Sequence, residues 1–450
     1  MESCFKTYDV RGVVPDELNP SIAYRIARAT IQILGAKSVV VGHDIRLSGR
    51  SLAEAIFRAC KEEGAISTFI GECGTEEVYF ANFHLNADAG IMITASHNPA
   101  QYNGLKIVGK DCVPLSSATI EEIARRTDSI ELDSDDISGV PDKEESLRQT
   151  YKSFLLSQIK STQLSSMKVV ANPGNGGAGA IIDLLRDSLP FEFIVINSEP
   201  DGTFPNGVPN PLLPENREDT GKAVVENGAS FGIAWDGDFD RCFFFDEKGS
   251  YVEGYYVVSI LAAFLLRQSP REAVIYEPRL MWDTVDTLTS LNGKAKISQT
   301  GHAFFKQAMR DNNAIYGGEI SAHHYFRSFR YCDNGTLPWL IIGAILSETN
   351  CSLSGLIHEH RERFPCCDEQ NFTIEEPLAA ISKIERLYKG ECKEIDRTDG
   401  LSMSFEDWRF NVRCSNTEPL VRLNLETRGN KTLLKTKLQE LRSILSGFEA

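Results

Sequence analysis

The chain has 450 residues, too many for one hydrophobic core and enough for three or four domains of about 100–150 residues each. Its 42% hydrophobic and 24% charged residues are the balance of an ordinary globular protein. A formal net charge of −16 at pH 7 argues against nucleic acid and anionic membrane as partners, since both select basic surfaces, and any anionic substrate must be caught by local basic groups.

The N-terminal residues lack the basic-then-apolar layout of a secretion signal, no apolar run is long enough to span a bilayer, and the 11 cysteines lack paired metal-ligand spacing. The expectation is a cytoplasmic protein with reduced thiols. After the opening Phe5–Gly12 stretch, apolar spacing predicts a helix over 21–34 and a strand over 38–42 that runs into His43-Asp44-Ile45-Arg46. A helix over 52–63, a strand over 66–70 and a helix over 76–83 follow. The apolar run Gly90–Ile93 then ends in Thr94-Ala95-Ser96-His97-Asn98-Pro99. Strands alternating with helices at this spacing predict a largely parallel sheet covered on both faces. Beyond Ile107 the pattern loosens, and the acidic, Ser-rich stretch 128–136 reads as the first linker.

A second strand–turn–helix unit starts at Met167 and passes through Asn172-Pro173-Gly174-Asn175-Gly176-Gly177. That turn resembles a phosphate loop but lacks the Lys-Ser/Thr ending, so a tight turn is the better reading. The strand Phe231–Trp235 leads into Asp236-Gly237-Asp238-Phe239-Asp240-Arg241. A third unit carries the apolar helix 257–267, strands at 273–276 and 314–316, and a helix over 337–346. From about Asp368 a smaller α+β domain is expected, with helices 377–387 and 432–446 around strands 401–405, 408–412 and 421–426. The predicted class is therefore α/β: three similar mixed α/β domains at 1–140, 141–250 and 251–365, then an α+β domain at 366–450.

The loops carry the chemistry. Asp236, Asp238 and Asp240 alternate at a strand end and can converge on one hard cation. An EF-hand is the rival reading, but Arg241 stands at the position that requires Gly, and the flanks read as strands. Three carboxylates so close repel strongly without a cation. Magnesium is favoured over calcium if phosphate oxygen and water fill the remaining positions. A serine hydroxyl such as Ser96 needs a base or a metal to react. Lys106 can reach the same spot. Glu319 and Ser321, read as alternating along an extended segment, point the same way toward sugar hydroxyls. Of His323 and His324, neighbours on a strand, only one can join a pocket. Arg413, Ser415, Asn416 and Thr417 form a donor-rich turn in which Arg413 can grip a phosphate.

With these four loops in hand, the chain resembles the α-D-phosphohexomutase family over essentially its full length. The runs Thr94–Pro99, Asp236–Arg241, Gly318–Phe326 and Arg413–Pro419 occur in the family's order and at its usual spacing. The Ala322-His323-His324 version of the sugar loop, with the Asp333-Asn334-Gly335 stretch and the segments 397–400 and 407–410, is most similar to bacterial phosphomannomutases of the GDP-mannose route. The resemblance implies four domains around a central cleft, each offering one loop. It implies Ser96 as the phosphoserine, with Asp236, Asp238 and Asp240 binding one Mg²⁺ together with its phosphate. Lys106 and His323 become general acid/base residues, braced by Arg11, His97 and Arg241. Tyr8, Arg279, His302, Glu319, Ser321 and His323 become substrate contacts, and Arg413, Ser415, Asn416 and Thr417 the cradle of the phosphate that does not react. Phe239, Asn416 and His43 depart from common family patterns and bear on the width of the substrate pocket.

The implied reaction interconverts mannose 1-phosphate and mannose 6-phosphate through a hexose 1,6-bisphosphate, in a monomer or homodimer whose only substrates are sugar phosphates. A phosphoglucomutase or dual-specificity enzyme differs only at the C2 hydroxyl. A metal-dependent phosphatase would release free phosphate instead, and a sugar-phosphate sensor would be expected to lack Ser96 or one of the aspartates.

Overall fold

The computed structural model describes residues 4–6, 8–132, 137–414 and 420–448. The chain divides into two compact units, Met1–Tyr251 with His323–Ser352, and Val252–Ala322 with Leu353–Ala450.

The first unit holds two sheets. One has six strands in the order Val10–Val13, Tyr102–Gly109, Ala89–Ile93, Ser38–His43, Ile66–Glu72 and Lys143–Glu144. Ala89–Ile93 runs parallel to Ser38–His43 and antiparallel to Tyr102–Gly109. The helix Pro20–Leu34 begins where Asn19 accepts from the amide of Ile22 and Pro20 presets the first turn; it stops at Gly35, which takes φ +62°. In the other sheet Cys242–Phe245, Phe231–Trp235, Met167–Asn172 and Phe191–Val195 lie in that order. Trp235 pairs directly with Cys242, so the six residues between them form a hairpin loop. The strands flanking this loop are buried at every position, which fixes the aspartates on rigid backbone. The segment His323–Ser352 adds the antiparallel pair His324–Phe326 with Cys332–Asp333, and the buried helix Leu337–Thr349.

In the second unit Ala273–Tyr276 pairs in parallel with both Lys294–Ile297 and Tyr316–Gly318, and the helix Gly254–Gln268 is buried over most of its length. The C-terminal sheet is antiparallel throughout, ordered Gln370–Thr373, Leu420–Thr427, Trp408–Cys414, Leu401–Ser404 and Glu394–Asp396. Helices Pro377–Tyr388 and Lys431–Ser446 cover it over a core that includes Phe410, Val412, Leu423 and Leu425. Glu426 ties this sheet to the helical layer: its carboxylate accepts from Tyr255 Oη, from the amides of Met281 and Trp282, and from the fully buried Arg409.

The strand–helix alternation expected from sequence is present, and two readings need correction. The stretch beyond Ile107, read as a loosened pattern, holds a helix, Ser117–Asp128, whose apolar face rests on little more than Ile120 and Ile123 and is too narrow to register as periodicity. Residues 133–136 lie outside the described residues. Glu319–Ala322 is not extended but a turn, closed by the Ala322 amide on the Glu319 carbonyl at 3.0 Å with Ala322 at φ +70°. Alternation therefore does not set the direction of Ser321. Among the described residues, no single helix is long and apolar enough to cross a membrane and the eleven cysteines form no disulfide.

Candidate active site

The strand Ala89–Ile93 delivers Ser96 at φ +49°, a left-handed backbone that a serine adopts only when its surroundings hold it there. Its Oγ donates to Asp236 Oδ2 at 2.8 Å and lies 3.2 Å from His97 Nδ1. Arg241 locks this corner. Its Nη2 donates to Asp236 Oδ2 at 2.5 Å, to His97 Nδ1 at 2.6 Å and to Ser96 Oγ at 3.2 Å. Accepting from a guanidinium requires a bare Nδ1. Burial, followed by the nearby Arg241, Arg11 and Lys106, holds His97 well below its ordinary pKa and neutral. Arg11 reaches the same loop through Asn98 Oδ1 at 2.7 Å while pairing with Asp9, next to Tyr8.

The carboxylates of Asp236, Asp238 and Asp240 are fully buried, with one ligand oxygen from each inside a 4.8 Å cluster. Asp238 Oδ1 and Asp240 Oδ1 accept no hydrogen bond among the described residues. Buried anionic oxygens without donors are expensive, and a divalent cation is the partner that suits three carboxylates at this spacing. The donor set thus fits a hard cation. Within the protein, Lys106 balances part of the charge with its Nζ 2.6 Å from both Asp238 Oδ2 and Asp240 Oδ2. Burial would push the ammonium to lose its proton, but the two aspartates prevail and raise its pKa. Burial likewise pushes Asp236 up, to about 6, whereas Lys106, His323 and Arg241 overcome burial at Asp240 and hold it well below the usual carboxylate range. His323 Nε2 stands 3.6 Å from Asp240 Oδ1 and keeps some solvent exposure; His324 is fully buried, so one histidine of the pair joins the site.

Two supporting residues were missed in the sequence. Thr75 Oγ1 donates to Asp238 Oδ2 at 2.5 Å, and its amide donates to the Asp238 carbonyl at 3.1 Å. Glu76, fully buried, accepts from the amides of Gly335 and Thr336 and from Thr336 Oγ1. Both open the helix Thr75–His84, and a Gly-Thr-Glu helix start was the available signal. Phe239, which departs from the family pattern, does not narrow a pocket. Its ring is buried against Gly74, where an added Cβ would come within 2.2 Å.

In the second unit Arg279 and Arg413 are buried and share Glu369, at 3.3 Å and 3.7 Å, with Arg422 also at 3.7 Å. Burial would raise Glu369, yet Arg279, Arg413 and Arg422 keep its pKa low. Glu277 orients Arg279 at 2.7 Å, and also accepts from Thr300 Oγ1 and the Ile320 amide at 2.6 Å. Glu319 accepts from the Gly301 amide at 3.0 Å, beside His302 at the start of its helix. Arg279, Glu319, Arg413 and His302 thus belong to one donor-rich unit, with Ser321 in the adjoining turn. Ser415, Asn416 and Thr417 lie outside the described residues.

Comparison with known proteins gives a consistent picture. Four models of the family described as phosphoglucomutase/phosphomannomutase match in order: alpha/beta/alpha domain I over residues 2–134, domain II over 147–249, domain III over 253–364 and the C-terminal domain over 369–443. A curated relative from Xanthomonas campestris pv. campestris named "Phosphohexose mutases" is 49% identical over 446 residues, covering 98% of this chain and 99% of its own. Relatives named "Phosphomannomutase" are 47% identical in Salmonella montevideo and 45% in Escherichia coli K12, each covering 99% of both chains. A crystal structure of a phosphoglucomutase/phosphomannomutase family protein from Burkholderia thailandensis superposes with a TM-score of 0.87 at 26% identity, covering 99% of this chain and 98% of that one.

Proposed function

The chain belongs to the phosphoglucomutase/phosphomannomutase family, and we propose that it is a phosphomannomutase, an isomerase that interconverts α-D-mannose 1-phosphate and D-mannose 6-phosphate and so supplies GDP-mannose synthesis in the cytoplasm. The observation that carries this reading is the meeting of Ser96 Oγ with Asp236 inside a buried trio of carboxylates, two of which present oxygens without donors.

In this reading Ser96 Oγ carries a phosphoryl group and donates it to the free hydroxyl of a hexose monophosphate. The product is a hexose 1,6-bisphosphate, whose other phosphoryl group returns to Ser96 after it reorients. Asp236, Asp238 and Asp240 hold one Mg²⁺, which when bound neutralises charge on the phosphoryl oxygens during transfer. Arg241 and His97, already fixed to the Ser96 hydroxyl, brace the transferring group, with Arg11 steadying the loop. Lys106, held protonated, and His323, the more accessible of the two, serve as general acid and base for the serine and sugar oxygens. Tyr8, Arg279, His302, Glu319 and Ser321 contact the sugar phosphate. Arg413, with Ser415, Asn416 and Thr417, binds the phosphate that does not react.

The test is conversion of mannose 1-phosphate to mannose 6-phosphate with Mg²⁺ and catalytic glucose 1,6-bisphosphate, together with intact-mass detection of one phosphate mapped to Ser96. Release of inorganic phosphate at the rate of substrate loss would replace the mutase by a phosphatase. A second reading, that glucose phosphates turn over as well, is favoured by the broader name of the Xanthomonas relative. The ratio of kcat/KM for the two sugars separates them.

A further inference from the structure

The Ser96 loop stands on a buried arginine that none of the roles above uses. Arg46 follows the strand Ser38–His43, which lies parallel to and beside the strand leading to Ser96, so both loops leave the sheet at the same end. Its side chain has no solvent exposure. A guanidinium has five N–H groups, and all five are used here. Nε donates to Asp44 Oδ2 at 3.2 Å, Nη1 to the carbonyls of Pro99 at 2.7 Å and Tyr102 at 2.9 Å, and Nη2 to those of Ser96 at 2.9 Å and Asn98 at 2.6 Å. Asp44 closes the circuit. Its Oδ2 also accepts from Thr94 Oγ1 at 2.6 Å, and Thr94 Oγ1 accepts from the Ser96 amide at 2.9 Å. The carbonyl and amide of Ser96, the residue of this loop with a left-handed backbone, are therefore both tied to a single buried ion pair.

We propose that Arg46, with Asp44, is the positioning residue of the phosphoryl-carrying loop: it holds Ser96 in the φ +49° conformation that aims Oγ at Asp236. A lysine keeps the charge but offers three donors at a point and cannot span four carbonyls. Holding a reacting atom in place is a rate effect, and displacement by about 1 Å can cost about 100-fold. The proposal rests on the mutase reading for its kinetic arm and on the geometry alone for its structural arm.

The experiment uses the full-length protein with Arg46→Lys, and with Arg50→Lys as the control, since Arg50 is exposed, pairs with Glu54 and packs over the Phe69 ring, away from the Ser96 loop's carbonyls. Steady-state kinetics on mannose 1-phosphate with Mg²⁺ are measured beside amide hydrogen exchange. The expected result for Arg46→Lys is a kcat lowered by about 30- to 100-fold with KM within about twofold. Amide exchange over residues 94–102 should be faster by about tenfold or more, while the rest of the sheet exchanges as in the parent. A kcat within about threefold of the parent overturns the proposal, as does a loss of kcat without faster exchange in that segment. If Arg46→Lys fails to fold, Thr94→Val, which removes one hydroxyl of the circuit, is judged by the same two criteria. A parent protein with neither mutase activity nor phosphate on Ser96 refutes the proposed function, and the exchange comparison still decides whether Arg46 holds the loop.

Discussion

Ser96 donates a 2.8 Å hydrogen bond to Asp236 across 140 residues of sequence, joining the loop of one sheet to the hairpin of another. The approach is close enough that a Cβ on Gly237 would fall 2.5 Å from the Ser96 carbonyl. Backbone and hydroxyl of Ser96 thus both press on the hairpin that carries the aspartates, with the hydroxyl on the first of them.

Removing that hydroxyl should abolish turnover. Ser96→Ala is expected to lower mutase kcat by about 10³-fold or more, as loss of a nucleophile does, while keeping the parent's melting transition. Alanine tolerates the φ no worse than serine. Substantial residual isomerisation in a coupled assay would refute the role.

The carboxylate cluster should make the fold sensitive to divalent cations. Adding Mg²⁺ at about 100 times its dissociation constant is expected to stabilise the protein by about 2.7 kcal/mol. Asp238→Asn should remove most of that gain, and calorimetry with and without chelator reads both. Lys106→Met leaves Asp238 and Asp240 without their buried counter-charge. In chelator it is expected to cost about 3–5 kcal/mol, a loss that Mg²⁺ partly restores.

Glu76 gives a pH signature. Burial pushes its carboxyl from the ordinary 4.5 up to about 8, because hydrogen bonds from the Thr336 and Tyr151 hydroxyls and the Gly335 amide only partly offset desolvation. Between these values the folded protein binds the proton more tightly than the unfolded chain. The contribution is therefore complete below about pH 4.5 and declines as pH rises toward 8. Denaturant titrations should show unfolding free energy falling over that window. Glu76→Gln, whose amide oxygen can still accept from both backbone donors, should flatten the slope; an unchanged slope would assign it to other groups.

Arg413→Ala should separate binding from folding. Loss of a charged phosphate contact is worth about 1.5–3 kcal/mol, so KM should rise by roughly 10- to 100-fold. Arg279 and Arg422 remain on Glu369, and the melting temperature should change little. An unchanged KM would remove Arg413 from the cradle.

Much of this was legible in the letters. Strands Phe231–Trp235 and Ala273–Tyr276 are observed at their expected bounds because continuous apolar runs mark buried strands. The helices at Pro20, Pro377 and Lys431 begin and end within a residue or two of expectation, with Pro or Asn at their starts. The strand Tyr102–Gly109 was not read, since Asn103, Gly104 and Lys106 break its apolar run although all three are buried. Asp44, Arg46, Thr75 and Glu76 escaped for a related reason. Apart from the local Asp44–Arg46 pair, their partners are backbone groups, hydroxyls or carboxylates tens to hundreds of residues away, and no local spacing encodes such pairings. The turn at Glu319–Ala322 was misread because a left-handed alanine leaves no composition signal.

The first unit is not contiguous: residues 252–322 interrupt it, and Trp235 Nε1 and Glu76 both bind the turn at Gly335. During synthesis, both of its sheets emerge from the ribosome long before that turn exists. A nascent chain halted near residue 251 would carry Ser96 and all three aspartates, yet leave the buried tryptophan without its acceptor at Gly335 and the glutamate with only the Tyr151 hydroxyl, a natural substrate for chaperones until the missing stretch arrives.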